Sequence, residues 1–337
     1  MSKKTIVINF TGGPGAGKSF MATRLVSNLK ERGVSCEYVP EFAKDLVWEG
    51  RLSELNDQLY VLANQNHMLL RVKDKVNVIV VDSPIILSMY YNKISSYYNS
   101  SVFDKLVLES YNNFDNIVYY VERNHPYVRE GRYQTEEESD VACQKIKQML
   151  DENNINYQTI VSGSESAEKI TDFVVKLLQM YGNEKKQPEY ERKFLLKSAG
   201  FLKLGFPKKH IVQNYLNIGQ TEKRLRKVGS RYFFTEKQGS GDSRIEYEKE
   251  ITKDEYNYFL TQFAKGKTIE KDRYYINLEN TKSCEVNLFS SPKPIRLIEV
   301  EFDSEESMQA FNPPKWFGRE VTSDGKYYNH NIACENS

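Results

Sequence analysis

Between Phe10 and Phe20 the chain reads T-G-G-P-G-A-G-K-S, which places Gly12, Gly13, Gly15, Ala16, Gly17, Lys18 and Ser19 in a G-x-x-x-x-G-K-S spacing. That spacing serves one chemistry, the cradling of a phosphate chain. Glycines let successive amides turn toward phosphate oxygens, Lys18 reaches the outer phosphates, and Ser19 is placed to ligate magnesium. Two acids then stand at the ends of apolar runs. Glu41 follows C-E-Y-V-P, and Asp82 closes V-N-V-I-V-V-D. Ligands of open α/β sheets bind at such strand ends, and Asp82 is set to hold magnesium, directly or through water, opposite the loop. Arg123, Arg129 and Arg132 share a polar stretch with a glycine, a lid whose guanidinium groups would close over a transferring phosphoryl group.

The elements that must carry these residues are legible in the pattern. Thr5–Phe10, Cys36–Pro40, Val76–Asp82, Ile117–Val121 and Tyr157–Val161 read as strands, and Ser19–Arg32 as a helix closed by Gly33. Their alternation implies a parallel sheet covered by helices, an α/β phosphate-loop NTPase fold. A long helical pattern ends near Met180, and the polar stretch Gly182–Pro188 follows. The expected domains are 1–183 and 189–337, with a linker at 184–188.

After the linker the period changes. Charged or polar residues recur at every second position: Glu189, Glu191 and Lys193; Arg224 and Arg226; Thr235 and Lys237; Arg244, Glu246 and Glu248; Lys271 and Arg273; Glu299 and Glu301. Leu225, Ile245, Tyr247, Ile298 and Val300 occupy the complementary register. Strands with one charged and one apolar face fit an α+β, mainly antiparallel β-barrel whose charged side looks inward. Unpaired buried charge is heavily penalised, so a mixed interior requires a partner. A polyphosphate with a divalent metal supplies it.

With those residues in view, two resemblances stand out. G-G-P-G-A-G-K-S, V-P-E-F-A-K-D and V-V-D-S-P resemble the small P-loop kinases of the nicotinamide riboside kinase type (AAA) and, more distantly, deoxynucleoside kinases, over roughly residues 4 to 182. The resemblance implies that Glu41 accepts the proton of the substrate hydroxyl, with Lys18, Asp82 and the lid arginines completing the catalytic set. Residues 189 to about 332 resemble the CYTH triphosphate tunnel metalloenzymes through E-x-E-x-K at Glu189, Glu191 and Lys193, Q-N-Y-L at Gln213–Leu216, R-I-E-Y-E at Arg244–Glu248, E-V-E-F at Glu299–Phe302 and G-R-E-V-T at Gly318–Thr322. This second resemblance implies metal ligation by Glu189, Glu191, Glu299 and Glu301, with magnesium or manganese. It implies a triphosphate grip by Lys193, Arg224, Arg226, Lys237, Arg244 and Arg273. Asn287 departs from the family's common aspartate.

Composition narrows the rest. The 47 Lys and Arg nearly cancel 46 Asp and Glu, so no whole-protein field recruits nucleic acid. No run approaches the roughly 18 apolar residues of a membrane helix, and four scattered cysteines lack metal or redox spacing. A soluble, cytoplasmic protein is expected. The leading expectation is a bifunctional phosphotransfer protein with ATP or GTP, a nucleoside or small-molecule acceptor, and a separate triphosphate substrate. One alternative is a nucleotide-gated module that binds a phosphorylated ligand, such as a phosphoinositide headgroup, without turnover. The other is RNA 5′-end processing, which the lack of a basic stripe opposes.

Overall fold

In the computed structural model, the described residues are 5–95, 97–98, 101–124, 126–127, 135–181, 190–197, 200, 205–216, 218, 221–238, 245–264 and 267–334. The chain divides into two compact units, Met1–Leu178 and Gln179–Ser337.

The first unit is built on a parallel sheet. Its strands are β1 (Ile6–Thr11), β2 (Cys36–Val39), β3 (Val78–Val81), β4 (Asp115–Glu122) and β5 (Tyr157–Val161), in the order β2-β3-β1-β4-β5. β1 and β3 are buried throughout because helices cover both faces, which explains their continuous β-branched runs. β1 lies between β3 and β4, so its loop opens at the crossover of the sheet, where ligand crevices form. Around the sheet pack α1 (Lys18–Glu31), α2 (Phe42–Trp48), α3 (Gln58–Leu70), α4 (Leu87–Ser95), α5 (Ser101–Asn112), α6 (Glu136–Glu152) and α7 (Ser164–Met180). The expected strands and first helix lie within two residues of their observed bounds at each end.

The second unit carries nine strands: β6 (Tyr190–Leu196), β7 (Lys208–Leu216), β8 (Glu222–Val228), β9 (Arg231–Gln238), β10 (Ile245–Ile251), β11 (Thr268–Ile276), β12 (Ser283–Ser291), β13 (Ile295–Phe302) and β14 (Phe317–Glu320). They form one antiparallel sheet in the order β10-β9-β8-β7-β11-β12-β13-β6-β14. Among the described residues no pairing joins β10 to β14, so the expected closed barrel appears as an open sheet with those two strands at its edges. The period-two reading identifies the faces. Phe194, Val286, Ile298, Val300 and Phe302 cluster on one side, while Lys193, Asn287, Glu299 and Glu301 alternate onto the other. α8 (Lys253–Phe263) places Phe259 against Phe234 of β9, and α9 (Glu305–Ala310) packs on the apolar side near Phe302. α10 (Asn329–Cys334) inserts Ile332 and Ala333 among Tyr215, Ile269, Phe289 and Leu297. Those four sit on the charged face, two residues along their strands from Gln213, Lys271, Asn287 and Glu299.

Candidate functional sites

In the first unit the phosphate loop leaves the buried end of β1 and enters α1 at Gly17, whose φ of 91° is a left-handed conformation suited to glycine. No side chain caps that helix, so its first-turn amides are left for an anion. Gly12 has φ 140° and sits so close to β4 that a Cβ would lie 2.7 Å from Val121 O. Lys18 Nζ donates to the carbonyls of Gly12 at 3.1 Å and Gly13 at 2.9 Å, within the loop itself.

Asp82, at the end of β3, is 2 % exposed. Its Oδ2 accepts from Ser19 Oγ at 2.6 Å and from Tyr38 OH at 2.8 Å. Its Oδ1 is buried and has no hydrogen-bond partner among the described residues. A spare, hard carboxylate oxygen beside a serine hydroxyl fits a magnesium ion. Tyr38 escaped the sequence reading because nothing in C-E-Y-V-P marks its hydroxyl as a carboxylate partner. Desolvation and the adjacent Asp82 push its ionisation far up.

A cavity of about 1030 Å³ runs from the phosphate loop past Glu41 to α3, α4 and α6. Lys18, Ser19 and Glu41 line it together. Packing around Glu41 pushes its carboxyl pKa up, Lys18 pulls it down, and Asp82 raises it further. A base with a raised pKa, open to a cavity shared with the phosphate loop, is what proton removal from an alcohol needs. Arg123 stands elsewhere. It is held by Asp140 at 2.5 Å and Glu136 at 3.3 Å on α6 and is not part of the cavity wall. Arg129 and Arg132 lie outside the described residues.

The second unit assembles its ion pairs on the charged face. Glu299 accepts from Lys193 at 3.0 Å, Arg273 at 3.1 Å and Asn287 at 2.9 Å. Burial opposes its ionisation, yet Lys193, Lys271 and Arg273 hold its carboxyl well below the usual range. Asn287 also accepts from Arg273 Nε at 2.9 Å. An aspartate there could not donate to Glu299, so the amide bridges two opposite charges without adding a third. Lys193 further pairs with Glu191 at 3.3 Å, and Arg273 with Glu285. Across the sheet Glu246 takes Arg224 at 3.1 Å and Lys237 at 2.9 Å, while Glu248 takes Arg226 at 2.6 Å. Lys193, Arg224, Arg226, Lys237 and Arg273 therefore share one face with Glu191 and Glu299. Glu301 follows in the same register, opposite Glu191. Glu189 and Arg244 lie outside the described residues.

Donor capacity is left over. Arg224 Nε, Arg226 Nε and Lys271 Nζ are buried without a hydrogen-bond partner among the described residues. Lys271 is 1 % exposed, and burial brings its pKa down to about 7 against the pull of Glu299. Alternation alone marks Lys271 in the sequence, and alternation with the R-I-E-Y-E motif marks Glu246 and Glu248, without a role for any of the three. Glu285 carried no signal beyond its proximity to Asn287. Among the described residues no three acidic, His or Cys side chains converge on a point that would hold a metal.

A family model described as an AAA domain matches residues 7–168. An inorganic triphosphatase of Nitrosomonas europaea is 40% identical over 153 residues, 43% of this chain and 96% of that protein. One of Acetivibrio thermocellus is 32% identical over 150 residues, 43% of this chain and 92% of its own. A solved inorganic triphosphatase is similar at 36% identity and a TM-score of 0.33, covering 44% of this chain and 97% of that one. No described helix is long and apolar enough to cross a membrane. With 40% identity sustained across nearly the full length of a curated relative, the chain belongs to the inorganic triphosphatase family.

Proposed function

We propose that residues 1–183 bind ATP or GTP and transfer its terminal phosphoryl group to an acceptor hydroxyl, and that residues 189–337 close into a barrel that grips and hydrolyses a triphosphate, with 184–188 as linker. The observation that carries the reading is the unspent donor set, Arg224 Nε, Arg226 Nε and Lys271 Nζ, buried beside cations already engaged by glutamates. Buried cations with free N–H groups call for an anion rich in acceptor oxygens, and a triphosphate is one. The curated relatives act on that class of substrate by name.

In the first unit Lys18 exchanges the Gly12 and Gly13 carbonyls for phosphate oxygens when nucleotide enters. The acceptor oxygen attacks the terminal phosphorus, its bond to the bridging oxygen breaks, and the hydroxyl proton passes to Glu41. Magnesium held by Ser19 and Asp82 would neutralise charge on the phosphates. The lid role of Arg123, Arg129 and Arg132 belongs to a liganded state in which Arg123 leaves Asp140. In the second unit water attacks a terminal phosphorus, the bond to the bridging oxygen breaks, and phosphate and pyrophosphate separate with the proton of the water left on the products. Arg224, Arg226 and Arg273 neutralise the charge that builds on the departing oxygen. A metal there would need Glu189 together with Glu191, Glu299 and Glu301, so no step is assigned to it.

Phosphate release from inorganic triphosphate, with magnesium or manganese supplied, tests the reading. Release should be kept in Lys18→Ala and lost in Arg224→Ala. Tight triphosphate binding without release would recast the second unit as a binding module, and release that depends on Lys18 would assign all turnover to the first.

A further inference from the structure

The phosphate loop turns at Gly13-Pro14-Gly15-Ala16. Ala16 N donates to Gly13 O at 3.3 Å, and Gly15 has a φ of 78°. Proline in the second place and a positive φ in the third define a type II turn. Proline suits the second place of a type I turn equally, and glycine takes negative φ as readily as positive, so these four residues are compatible with both types. The two differ by a flip of the central peptide, here Pro14–Gly15. In a planar trans peptide the carbonyl and the following N–H point to opposite sides, so the flip exchanges a donor for an acceptor on the side that meets an anion. Nothing within the turn itself makes that choice.

A residue more than a hundred positions away makes it. Ser139, the fourth residue of α6, is fully buried, and its Oγ donates to Pro14 O at 2.6 Å. The carbonyl is thus drawn to α6, and Gly15 N–H, across the same plane, is turned the other way. The helix is a firm support. Thr135 and Glu138 close a capping box at its start, and Tyr120 on β4 donates to Cys143 O at 2.8 Å. It also lies hard against the loop, because a Cβ on Gly13 would come within 2.9 Å of Ser139 O and closer still to Cys143 Sγ. Gly15 lines the same cavity as Lys18 and Ser19. In the flipped turn a carbonyl dipole would stand there in place of a donor and would repel phosphate oxygens.

We infer that Ser139 is a positioning residue for nucleotide: its hydroxyl locks the Pro14–Gly15 peptide with the carbonyl against α6 and the N–H offered to the phosphate chain. The inference rests on the nucleotide-binding reading of the first unit. Kd for ATP with magnesium is measured on the full chain, with Lys18→Ala marking whatever binds outside the loop. Without the hydroxyl the flipped turn competes, so Ser139→Ala should raise Kd about five- to tenfold. Ser139→Thr, which keeps the donor, should stay within about twofold of the unmodified protein. Gly15→Ala, which disfavours positive φ, should weaken binding although Ser139 is intact. Because both changes release the same peptide, the double variant should bind no more weakly than the weaker of the two single ones. An unchanged Kd in Ser139→Ala overturns the lock, and so do losses that multiply in the double variant, as separate packing defects would. Should Ser139→Ala fail to fold, Ser139→Cys, whose thiol is a weak donor, takes its place with the same expected direction. If the unmodified protein binds ATP no better than Lys18→Ala, the nucleotide-binding reading falls, and the role of Ser139 falls with it.

Discussion

In the proposed role of base, Glu41 sets proton removal against folding. Its folded pKa lies above its unfolded value, so between the two the folded state holds more protons than the unfolded one. Stability therefore falls as pH rises through that window, and a neutral amide escapes the loss. Glu41→Gln should raise the melting temperature of the first unit at neutral pH while lowering phosphoryl transfer by roughly 10²–10⁴-fold. In the unmodified protein kcat/KM should climb with pH through an apparent pKa above the usual carboxylate range. A flat profile, or a Glu41→Gln protein that still transfers phosphate, contradicts the assignment. Tyr38 makes a different prediction. Its hydroxyl holds Asp82 Oδ2 at 2.8 Å alongside Ser19, whose Oγ can keep donating to that oxygen while a lone pair ligates a cation. Tyr38→Phe then leaves the carboxylate with one anchor fewer, and the magnesium concentration needed for half-maximal nucleotide binding should rise about tenfold, since hydrogen bonds to charged groups are worth about 1.5–3 kcal/mol. An unchanged magnesium dependence refutes it. The contrast between these residues shows what sequence could and could not reveal. Gly12 to Ser19 are a contiguous spacing with its own chemistry, and Glu41 ends a recognisable strand. Tyr38 acquires its meaning only from the carboxylate its hydroxyl meets after folding.

Among the elements, β8 and β9 illustrate how a charged face is kept in register. Arg224, Arg226 and Lys237 point to one side, while Lys223 and Glu236 face the other as an ion pair whose side chains are both fully buried, 3.1 Å apart, with Thr221 Oγ1 donating to Glu236 at 2.6 Å. Removing one partner of such a pair leaves an uncompensated buried charge and costs about 3–5 kcal/mol, whereas replacing both with apolar residues is often near neutral. Lys223→Met should therefore unfold the second unit at much lower denaturant, and Lys223→Met with Glu236→Leu should recover most of the loss. Arg231→Ala, which breaks an exposed pair with Glu250, should shift the transition by less than about 1 kcal/mol. Comparable losses from Lys223→Met and Arg231→Ala would refute this. Elements were the most legible scale, because period and turn chemistry are local. β5 runs over the residues expected, and α7 ends at Met180 as read. Closure was not legible. Alternation says which face a residue occupies, but whether β10 meets β14 depends on pairing between residues far apart in the chain.

At the scale of the molecule, the two proposed phosphate chemistries are read from different units of one chain. The loop, Glu41 and Asp82 belong to Met1–Leu178, and the ion-paired face belongs to Gln179–Ser337. Each proposed site is read from side chains of its own unit, so their losses should separate. In the full chain, Lys18→Ala should lower ATP or GTP affinity by at least about tenfold and leave phosphate release from triphosphate within about twofold. Arg224→Ala should do the reverse, and the two effects should add in the double variant, as independent sites require. The near-neutral charge of the chain works in the same direction, because it leaves recruitment of either proposed anion to local cations rather than to a common field. Equilibrium nucleotide binding and phosphate release measured on the same preparations decide the matter. A Lys18→Ala protein that loses both activities while its second unit keeps its melting transition would mean that the nucleotide site governs the triphosphate site, and would replace independence with coupling between the units.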